Sequence, residues 1–530
     1  MPTLTINDNE ITVEPGTTIL QAAQQLGIFI PHYCYHPGLK QVGSCRMCLV
    51  EEERSVKLIP SCAYPVTEGM VVRTETEKVV KARKAVMEFF LVNHPLDCPV
   101  CDKAGECELQ NYAYEYGQQH SRMTVAKVRF PKKDLGKHVL IWPERCILCS
   151  RCVRFCQEIS GTSELFVLSR GDKSEISVMP GKRVDNRLSG NVIQLCPVGA
   201  LISKDFLYKS RVWYLKKVTG ICPACSRGCN VTYEHRNGII YRTLARLNPH
   251  VNDYWICDDG RYEFRAPEKE KRVHAPLLRR ESHLREVLLE DAYTAAKMKI
   301  KSILEQHGPE QIGGIGSPCC SNEDNYLLRR FLTMIGSKDV AMLPPVDRND
   351  REEFPGGFVI SSEKAPNKQG AAAMLGVPED PEHFRDMLSR IEQGRYQALF
   401  LLRDFLDLPL EDELLAALRK VPFLFSLESV RSELLQAAYC ILPCAVFFEK
   451  EGTMTNDRGR VQHFNQVLLP STLDIQSPWS HLAKLMKHFD EKIDFFNPAD
   501  VFRDIARDIP GYRDIEYGAL RKDGFHLEKR

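Results

Sequence analysis

The apolar and polar positions at the start of the chain follow two different periods. In "TLTINDNEITV" they alternate on both sides of Asp8-Asn9, which predicts a β-hairpin with its turn at that pair. In "PGTTILQAAQQLGI" the period is helical, and it predicts a short helix with Thr17 or Thr18 near its N-cap and Gly27 at its C-cap.

A longer helical period follows in "TETEKVVKARKAVMEFFLVNH". Thr74 and Glu77 have the spacing of a capping box, and apolar residues recur on one face over about five turns. The helix is expected to end before Pro95, because the residue preceding a proline disfavours helical geometry.

The second half of the chain is expected to be an α/β unit. "IGGIGSPCCSNEDNYLLRRFLTMIG" predicts a strand, a loop and a helix that begins at Ser321 and ends at Gly336. "YQALFLLRDF" and "VPFLFSL" are short apolar runs typical of buried parallel strands. The whole chain of 530 residues is long enough for roughly three to five domains.

Charge and targeting signals narrow the function classes. Lys and Arg number 71 against 70 Asp and Glu, so we expect no nucleic acid partner, and a nearly neutral chain tends to bind other proteins. The opening "MPTLTINDNE" lacks the basic and apolar regions of a signal peptide. No window of about eighteen apolar residues predicts a membrane span.

The number and spacing of the cysteines are the strongest indication of function in the sequence. Sixteen of the 20 cysteines lie before residue 258, mostly in pairs separated by two residues. A long chain without an export signal is not expected to be a secreted disulfide scaffold, so these pairs favour metal ligation.

The first candidate site has the pattern C-x10-C-x2-C-x13-C. A hairpin, a helix and a loop carrying C-x2-C is the layout of a ferredoxin-like β-grasp domain, and four thiolates suit a [2Fe–2S] cluster. The spacing departs from the plant-type C-x4-C-x2-C, and a structural zinc site is an alternative. His32 and His36 are expected to be loop residues rather than ligands. The expected ligands are Cys34, Cys45, Cys48 and Cys62.

The second candidate site lies in "HPLDCPVCDKAGEC". Cys98, Cys101 and Cys107 supply three thiolates where four ligands are needed. His94 is placed at the end of the long helix, pointing into the same loop, and is the expected fourth ligand of a [4Fe–4S] cluster. An imidazole in place of a thiolate makes the cluster less negative, and charge alone would then raise its potential.

The third candidate site contains the bacterial [4Fe–4S] run C-x2-C-x2-C, formed by Cys146, Cys149 and Cys152. The fourth ligand of this motif is expected to be a Cys followed by Pro, which favours Cys196 in "CPVGAL" over Cys156. Cys156 is then expected to be a small buried residue.

Three arginines flank the third motif. Arg145, Arg151 and Arg154 could donate hydrogen bonds to it or raise its potential. Solvated surface arginines are the alternative.

The fourth candidate site is formed by "GICPACSRGC" and "YWICDDGRY". Four thiolates from two hairpin-like segments suit a [4Fe–4S] cluster, with a zinc ribbon as the alternative. The expected ligands are Cys222, Cys225, Cys229 and Cys257. The cysteines outside the four sets are Cys156, Cys319, Cys320, Cys440 and Cys444. The adjacent pair among them would form a disulfide only with strain, so core or loop thiols are expected there.

These four motifs, in this order, resemble those of the large iron–sulfur subunit of respiratory complex I, which in bacteria is the G-subunit family of NADH:quinone oxidoreductases. The resemblance covers about residues 1–265 and includes "HPLDCPVCDKAGECELQ" and the distant "CPVGAL". It implies one [2Fe–2S] and three [4Fe–4S] clusters on the sixteen residues named above. In this family the cluster of the fourth motif is present only in some members, apart from the main electron path, so a structural role is implied for it here.

Residues from about 213 to 530 resemble a molybdopterin-oxidoreductase domain, in which "EKEGTMTNDRGRVQ" is similar to a late segment. The Cys-His segment that holds molybdenum in formate-oxidising relatives has no clear counterpart. The chain is also expected to lack the extra domain that helps catalytic members hold the pterin. The resemblance therefore implies a shortened α/β scaffold, and no molybdopterin is expected.

The expected fold class is multidomain, α+β and α/β. The expected domains are a [2Fe–2S] β-grasp domain (1–77), a [4Fe–4S] domain with one histidine and three cysteine ligands (78–120), a ferredoxin-like [4Fe–4S] domain (121–212), the [4Fe–4S] head of the molybdopterin-oxidoreductase-like domain (213–270) and its truncated scaffold (271–530).

The resemblance implies an electron-transfer subunit of the complex I peripheral arm. A flavin-bearing, NADH-binding partner subunit would deliver single electrons near the His94 and Cys146 sites, and other iron–sulfur subunits would take them towards quinone. Because the chain has no G-x-G-x-x-G motif and no P-loop, hydride chemistry is expected on the partner. The expected location is the cytoplasmic side of the inner membrane, peripheral and held through partner subunits.

Two other functions fit the same motifs. The first is the electron-transfer subunit of a soluble NAD-linked hydrogenase or formate dehydrogenase. The second is a catalytic molybdenum or tungsten oxidoreductase, which would need a metal of its own in the C-terminal domain.

Overall fold

The computed structural model describes residues 1–527 except 170, 264–268, 282, 405–409 and 491. These residues form two compact units, one of residues 1–215 and 353–358 and the other of residues 216–352 and 359–530. Helices and sheets are present in both units, so the expectation of a mixed α and β protein is confirmed. None of the described helices is long and apolar enough to cross a membrane.

The first unit begins with a five-stranded sheet. Its strands are β1 (Thr3–Ile6), β2 (Asn9–Thr12), β3 (Leu49–Glu52), β4 (Ile59–Pro60) and β5 (Met70–Arg73). Their order is β2-β1-β5-β3-β4, with β1 parallel to β5 and the other pairs antiparallel. Buried and less buried positions alternate along β1 and β5, as expected for a sheet with one side against a core.

The hairpin turn lies one residue earlier than predicted. Ile6 pairs with Asn9, and the turn residues Asn7 and Asp8 have φ values of 47° and 68°. A two-residue turn that matches strand twist favours positive φ at both positions, which Asn and Asp tolerate. The prediction of a turn at Asp8-Asn9 is therefore wrong by one position.

Helix α1 (Ile19–Gln25) begins and ends as predicted. The Thr18 side chain accepts a hydrogen bond from the Gln21 amide at 3.3 Å, and Gly27 follows the helix with a φ of 72°. The N-cap and the C-terminal glycine are confirmed.

Helix α2 (Glu77–Leu91) has a different N-cap from the one predicted. Thr76 caps it by accepting a hydrogen bond from the Val79 amide at 3.3 Å. Thr74 is instead paired with Asn7, which donates to its hydroxyl at 2.6 Å and accepts from its amide at 2.9 Å. The predicted Thr74–Glu77 capping box is wrong, because a residue far away in sequence takes the Thr74 side chain.

The rest of the first unit is built from short elements that carry the second and third motifs. The helices are α3 (Glu108–Tyr116), α4 (Arg151–Glu158) and α5 (Asn191–Leu195). The strands are β6 (Lys133–Asp134), β7 (Val139–Ile141), β8 (Leu165–Leu168), β9 (Glu175–Val178) and β10 (Leu201–Ser203). They form a three-stranded sheet, β10-β7-β6, and the hairpin β8-β9.

The second unit begins with an antiparallel sheet of β11 (Lys216–Ile221), β12 (Asn230–Arg236) and β13 (Ile239–Ala245). The remaining strands among the described residues are β14 (Leu277–Arg280), β15 (His283–Glu286), β16 (Ile312–Gly316), β17 (Asp339–Met342), β18 (Glu352–Glu353), β19 (Val359–Ile360), β20 (Ala398–Leu402), β21 (Phe423–Glu428), β22 (Cys440–Pro443), β23 (Gly452–Thr455), β24 (Arg460–Phe464) and β25 (Phe525–His526).

A seven-stranded sheet is the centre of the second unit, in the order β15-β14-β22-β21-β20-β16-β17. The five strands from β22 to β17 are parallel, and β20 and β21 are the two apolar runs predicted to be buried parallel strands. Strand order reverses between β16 and β20, which is where open α/β sheets bind their ligands.

Helices cover both faces of this sheet. They are α6 (Leu289–His307), α7 (Asn322–Met334), α8 (Lys368–Leu375), α9 (Pro381–Glu392), α10 (Asp412–Leu418), α11 (Pro478–Phe489) and α12 (Pro498–Asp508). Phe400 packs in the core beneath α6, α7, α8, α11 and α12, whereas its neighbour Leu399 packs beneath α9 and α10. Ser321 caps α7 and Gly336 follows it with a φ of 86°, so the predicted limits of this helix are confirmed.

Candidate iron–sulfur sites

The four thiols of the first candidate site lie together in the loops that flank β3 and β4. The amides of Tyr33 and Cys34 both donate to the Cys45 sulfur at 3.5 Å. Hydrogen bonds from the Cys45 and Cys62 thiols lower the pKa of Cys34, and one from Cys62 lowers the pKa of Cys48 to about 7. The same bonds raise the pKa of the two donors. The loops therefore hold four buried sulfurs in one hydrogen-bonded group.

The two histidines beside this site have partners in their own loop. His32 Nδ1 lies 2.8 Å from the Ile30 carbonyl oxygen, and His36 Nδ1 accepts a hydrogen bond from the Gly38 amide at 3.1 Å. Burial lowers the pKa of His36 to about 4. The structure thus gives both rings a local role.

The second candidate site lies between the end of α2 and the start of α3. His94 follows α2, and Cys107 is the residue immediately before α3. His94 Nδ1 is buried and has no hydrogen-bond partner in the described part of the chain. Burial lowers the pKa of His94 to about 4, which keeps the imidazole neutral, the form that binds a metal.

Charged neighbours link His94 to the thiols of this site. Burial is the largest influence on the pKa of both His94 and Cys101. The Asp97 carboxylate raises the pKa of both groups, and the Arg145 guanidinium lowers it. The Cys98 thiol adds to the raised pKa of Cys101, and the Cys101 thiol adds to the raised pKa of Cys107. A buried imidazole nitrogen without a hydrogen-bond partner is suited to bind a metal. The ligand role of His94 stays a prediction.

The third candidate site contains a small cavity of about 20 Å³. Cys146, Cys149, Cys152 and Cys196 all line it, beside apolar residues such as Ile176 and Leu201. The turn between the first two cysteines is tight, since Leu148 has a φ of 53° and its amide donates to the Cys146 sulfur at 3.4 Å. Burial raises the pKa of Cys149 to about 12, so a thiolate there needs a positive partner such as iron.

Cys156 lies outside the cavity-lining residues. Its thiol is fully buried, beside Ser160 and Glu164, and burial raises its pKa to about 12. The structure thus places Cys196, rather than Cys156, with the three cysteines of the motif. Whether Cys196 binds iron is a prediction that mutation can test.

The fourth candidate site is in the second unit, where β11 turns into β12. The Cys222 amide donates to the Cys229 carbonyl at 2.7 Å, which closes the turn that carries Cys225. Cys257 comes from the segment after β13 and accepts a hydrogen bond from the Gly260 amide at 3.4 Å. All four thiols are buried, and burial raises the pKa of Cys222 to about 12.

Two glycines make room for sulfur in these sites, and sequence reasoning missed both. A Cβ at Gly199 would lie 2.2 Å from the Cys101 sulfur, and a Cβ at Gly260 would lie 2.6 Å from the Cys222 sulfur. Gly199 belongs to the "CPVGAL" segment of the third motif, so it also shows that the second and third sites adjoin. Its position three residues after Cys196 was the available signal.

The arginines of the third motif are buried, and the alternative of solvated surface arginines is wrong. Arg145 forms an ion pair with Asp97 of the second motif. Arg151 donates to the Leu195 carbonyl at 3.3 Å and lies 3.5 Å from the carboxylate of Glu108, next to Cys107.

The third arginine, Arg154, donates to the carbonyls of Cys34 and Lys40 in the first motif. The third motif therefore contacts both of the other motifs in the first unit.

A site for a single metal ion would need several His, Cys, Asp or Glu side chains close together. Within the described ranges, no three His, Cys, Asp or Glu side chains converge closely enough to hold one metal ion. The four ligand sets remain predictions from spacing, burial and placement. The cysteines outside them, named above, are all buried.

A buried ion network lies after strands β16 and β20, where the order of the strands reverses. Lys450 lies 3.0 Å from the carboxylate of Asp324, in the helix after β16, and 3.3 Å from that of Asp404, just after β20. All three side chains are nearly inaccessible. Open α/β sheets bind their ligands at such a reversal, so this network lies at the edge where a ligand of the second unit would be expected.

Four family models match parts of the chain. They are the 2Fe-2S iron-sulfur cluster binding domain (1–77), the NADH-ubiquinone oxidoreductase-G iron-sulfur binding region (83–122), the NADH-quinone oxidoreductase subunit 3 ferredoxin-like domain (136–202) and molybdopterin oxidoreductase (272–353 and 351–488).

Curated relatives match the amino-terminal part. The G subunit of NADH-quinone oxidoreductase from Rickettsia felis is 40% identical over 339 residues, which are 64% of this chain and 50% of the relative. The G subunit from Streptomyces coelicolor is 44% identical over 280 residues, 52% of this chain and 33% of the relative. The mitochondrial NADH dehydrogenase (ubiquinone) iron-sulfur protein 1 of Solanum tuberosum is 39% identical over 331 residues, 62% and 44% of the two chains.

The chain spans half the length of these curated relatives or less. Among solved structures, a chain of an NAD+-reducing [NiFe]-hydrogenase in the H2-reduced state is 32% identical, with a TM-score of 0.37 over 40% of this chain and 91% of that chain. A TM-score this low supports no conclusion about the fold.

Together the matches define an iron–sulfur protein that contains 2Fe–2S and 4Fe–4S binding domains followed by a molybdopterin-oxidoreductase domain. Its curated homologues, about 40% identical over 64% of the chain, are G subunits of NADH-quinone oxidoreductase. The predicted resemblance to the large iron–sulfur subunit of complex I is thereby confirmed.

Proposed function

We propose that this chain is the electron-transfer subunit of the peripheral arm of NADH:quinone oxidoreductase. The observation that carries the proposal is the way three ligand sets adjoin within one compact unit. Arg154 joins the third motif to Cys34 of the first, and Gly199 places the third motif against Cys101 of the second. Such contacts bring separate redox sites close to one another.

The proposal includes the sixteen ligands and the five domains predicted from the sequence. When bound, iron–sulfur clusters supply sites that take up and release one electron at a time. The chain contributes buried thiols, a neutral imidazole at His94 and hydrogen-bond donors around the sulfurs, which set the potential of each site. The fourth site, in the second unit, is proposed to be structural.

The partners belong to the same proposal. A flavin-bearing, NADH-binding subunit would supply electrons, and other iron–sulfur subunits would receive them. The chain would be held at the cytoplasmic side of the inner membrane through these partners. The second unit is proposed to be a scaffold without molybdopterin, since the sequence has no clear counterpart of the Cys-His segment that holds molybdenum in relatives.

Anaerobic isolation of the full chain tests the proposal. We expect about fourteen irons per chain, two from the [2Fe–2S] site and four from each [4Fe–4S] site, with matching acid-labile sulfide. Colourless protein, or zinc in place of iron, would contradict it. Stoichiometric molybdenum or tungsten would contradict the scaffold assignment. Co-purification with a hydrogenase or formate dehydrogenase chain, instead of membrane subunits, would favour the alternative complex.

A further inference from the structure

Arg154 is a buried cation whose hydrogen-bond partners in the described part of the chain are all neutral groups. It lies on α4, two residues after Cys152, and is 8% exposed. Its guanidinium donates to the carbonyls of Cys34 and Lys40, and its Nε donates to the Ser150 hydroxyl at 3.3 Å. No carboxylate among the described residues forms an ion pair with it.

The other two arginines of the motif have counter-charges. Arg145 is paired with Asp97, and Arg151 lies 3.5 Å from Glu108. Burying a guanidinium without an anion beside it is unfavourable, because neutral carbonyls replace only part of the lost hydration. An anion is therefore expected next to Arg154 in the loaded protein.

The hydrogen bond from Arg154 to the Cys34 carbonyl points to the first candidate site as one source of such an anion. Burial raises the pKa of Cys149 in the third site, and the charge of Arg154 also acts there, lowering that pKa. Cys34, whose carbonyl accepts from Arg154, is one of the four thiols of the first site. A [2Fe–2S] cluster on four thiolates has a net negative charge, which increases by one when it accepts an electron.

We propose that Arg154 is a positioning residue whose charge compensates the cluster of the first site and raises its reduction potential. This inference rests on the proposed function, because it needs a [2Fe–2S] cluster on Cys34. The physical reason is that a fixed positive charge stabilises the more negative, reduced form more than the oxidised form.

The structure offers a control that holds the same loop without a positive charge. Glu158, one turn further along α4, accepts a hydrogen bond from the Lys40 amide at 2.8 Å. Replacing Glu158 by Gln perturbs how α4 holds the loop but leaves Arg154 in place. The third site provides an internal comparison, because Cys152 is on the same helix.

The experiment is a redox titration of the full, cluster-loaded chain, followed by the electron paramagnetic resonance signal of the reduced [2Fe–2S] centre. Arg154→Gln is expected to lower its midpoint potential, and the potential of the third site is measured in the same titration. Arg154→Lys keeps the charge and is expected to retain most of the wild-type potential. Glu158→Gln is expected not to lower it.

The possible outcomes distinguish failure of the inference about Arg154 from failure of the proposed function. If Arg154→Gln loses the centre while Arg154→Lys keeps it, the need for a positive charge is supported directly. If both variants shift the potential equally, if neither shifts it, if both lose the centre, or if Glu158→Gln reproduces the loss of potential, the inference is wrong and Arg154 only shapes the loop. If the wild-type chain gives no [2Fe–2S] signal, the proposed function itself fails.

Discussion

Gly199 lies close enough to the Cys101 sulfur to give a direct test of the second candidate site. An added Cβ would lie 2.2 Å from that sulfur and 3.3 Å from the Cβ of Lys103. Since real Cβ contacts essentially never fall below 3.0 Å, Gly199→Ala must move the thiol or the backbone by at least the difference of 0.8 Å.

The consequence for metal binding follows from this displacement. Metal–ligand distances tolerate only about 0.2 Å, so a shift four times larger is expected to remove the second cluster. Overpacking would also cost about 1–3 kcal/mol in the free energy of unfolding. The expected iron content falls from about fourteen to about ten per chain, with the signal of the first site retained.

The assay is iron and sulfide analysis of anaerobically purified protein, together with the spectra of the individual reduced centres. Gly511→Ala is the matched control, because no atom lies within 4 Å of the added Cβ there. Full iron content and unchanged spectra in Gly199→Ala would refute the reasoning, since Cys101 could not then bind a cluster in the position described.

Two further predictions concern other parts of the chain. Cys196→Ser is expected to abolish the third cluster and Cys156→Ser to retain it, measured by iron content, and the opposite pattern would exchange their roles. Lys450→Met is expected to cost about 3–5 kcal/mol in denaturant unfolding of the second unit, because Asp324 and Asp404 stay buried without their cation. Replacing both aspartates by Asn as well should recover most of that loss, and a single-variant cost within about 1 kcal/mol would contradict this account. These carboxylates raise the pKa of Lys450 well above its ordinary value although burial lowers it, so this stabilisation is complete at neutral pH and is lost only as pH rises through the raised pKa.

Local signals in the sequence were reliable where no distant residue competed for them. Thr18 and Ser321 cap their helices as predicted, because each side chain bonds to an amide three residues away. Thr74 failed as a cap because Asn7, 67 residues away, pairs with it. The same local logic grouped the closely spaced cysteines into motifs, because their spacing is a property of short loops.

By itself the sequence determined the spacing of the cysteines, from which the iron ligands are predicted, and the limits of α1 and α7. Only the tertiary structure decided that Arg154 of the third motif contacts Cys34 of the first motif, and that Gly199 lies against Cys101. It also decided that Lys450 is buried between two aspartates. The physical reason is that burial and neighbouring charge depend on which distant segments pack together, and this packing is a property of the whole chain rather than of any short stretch.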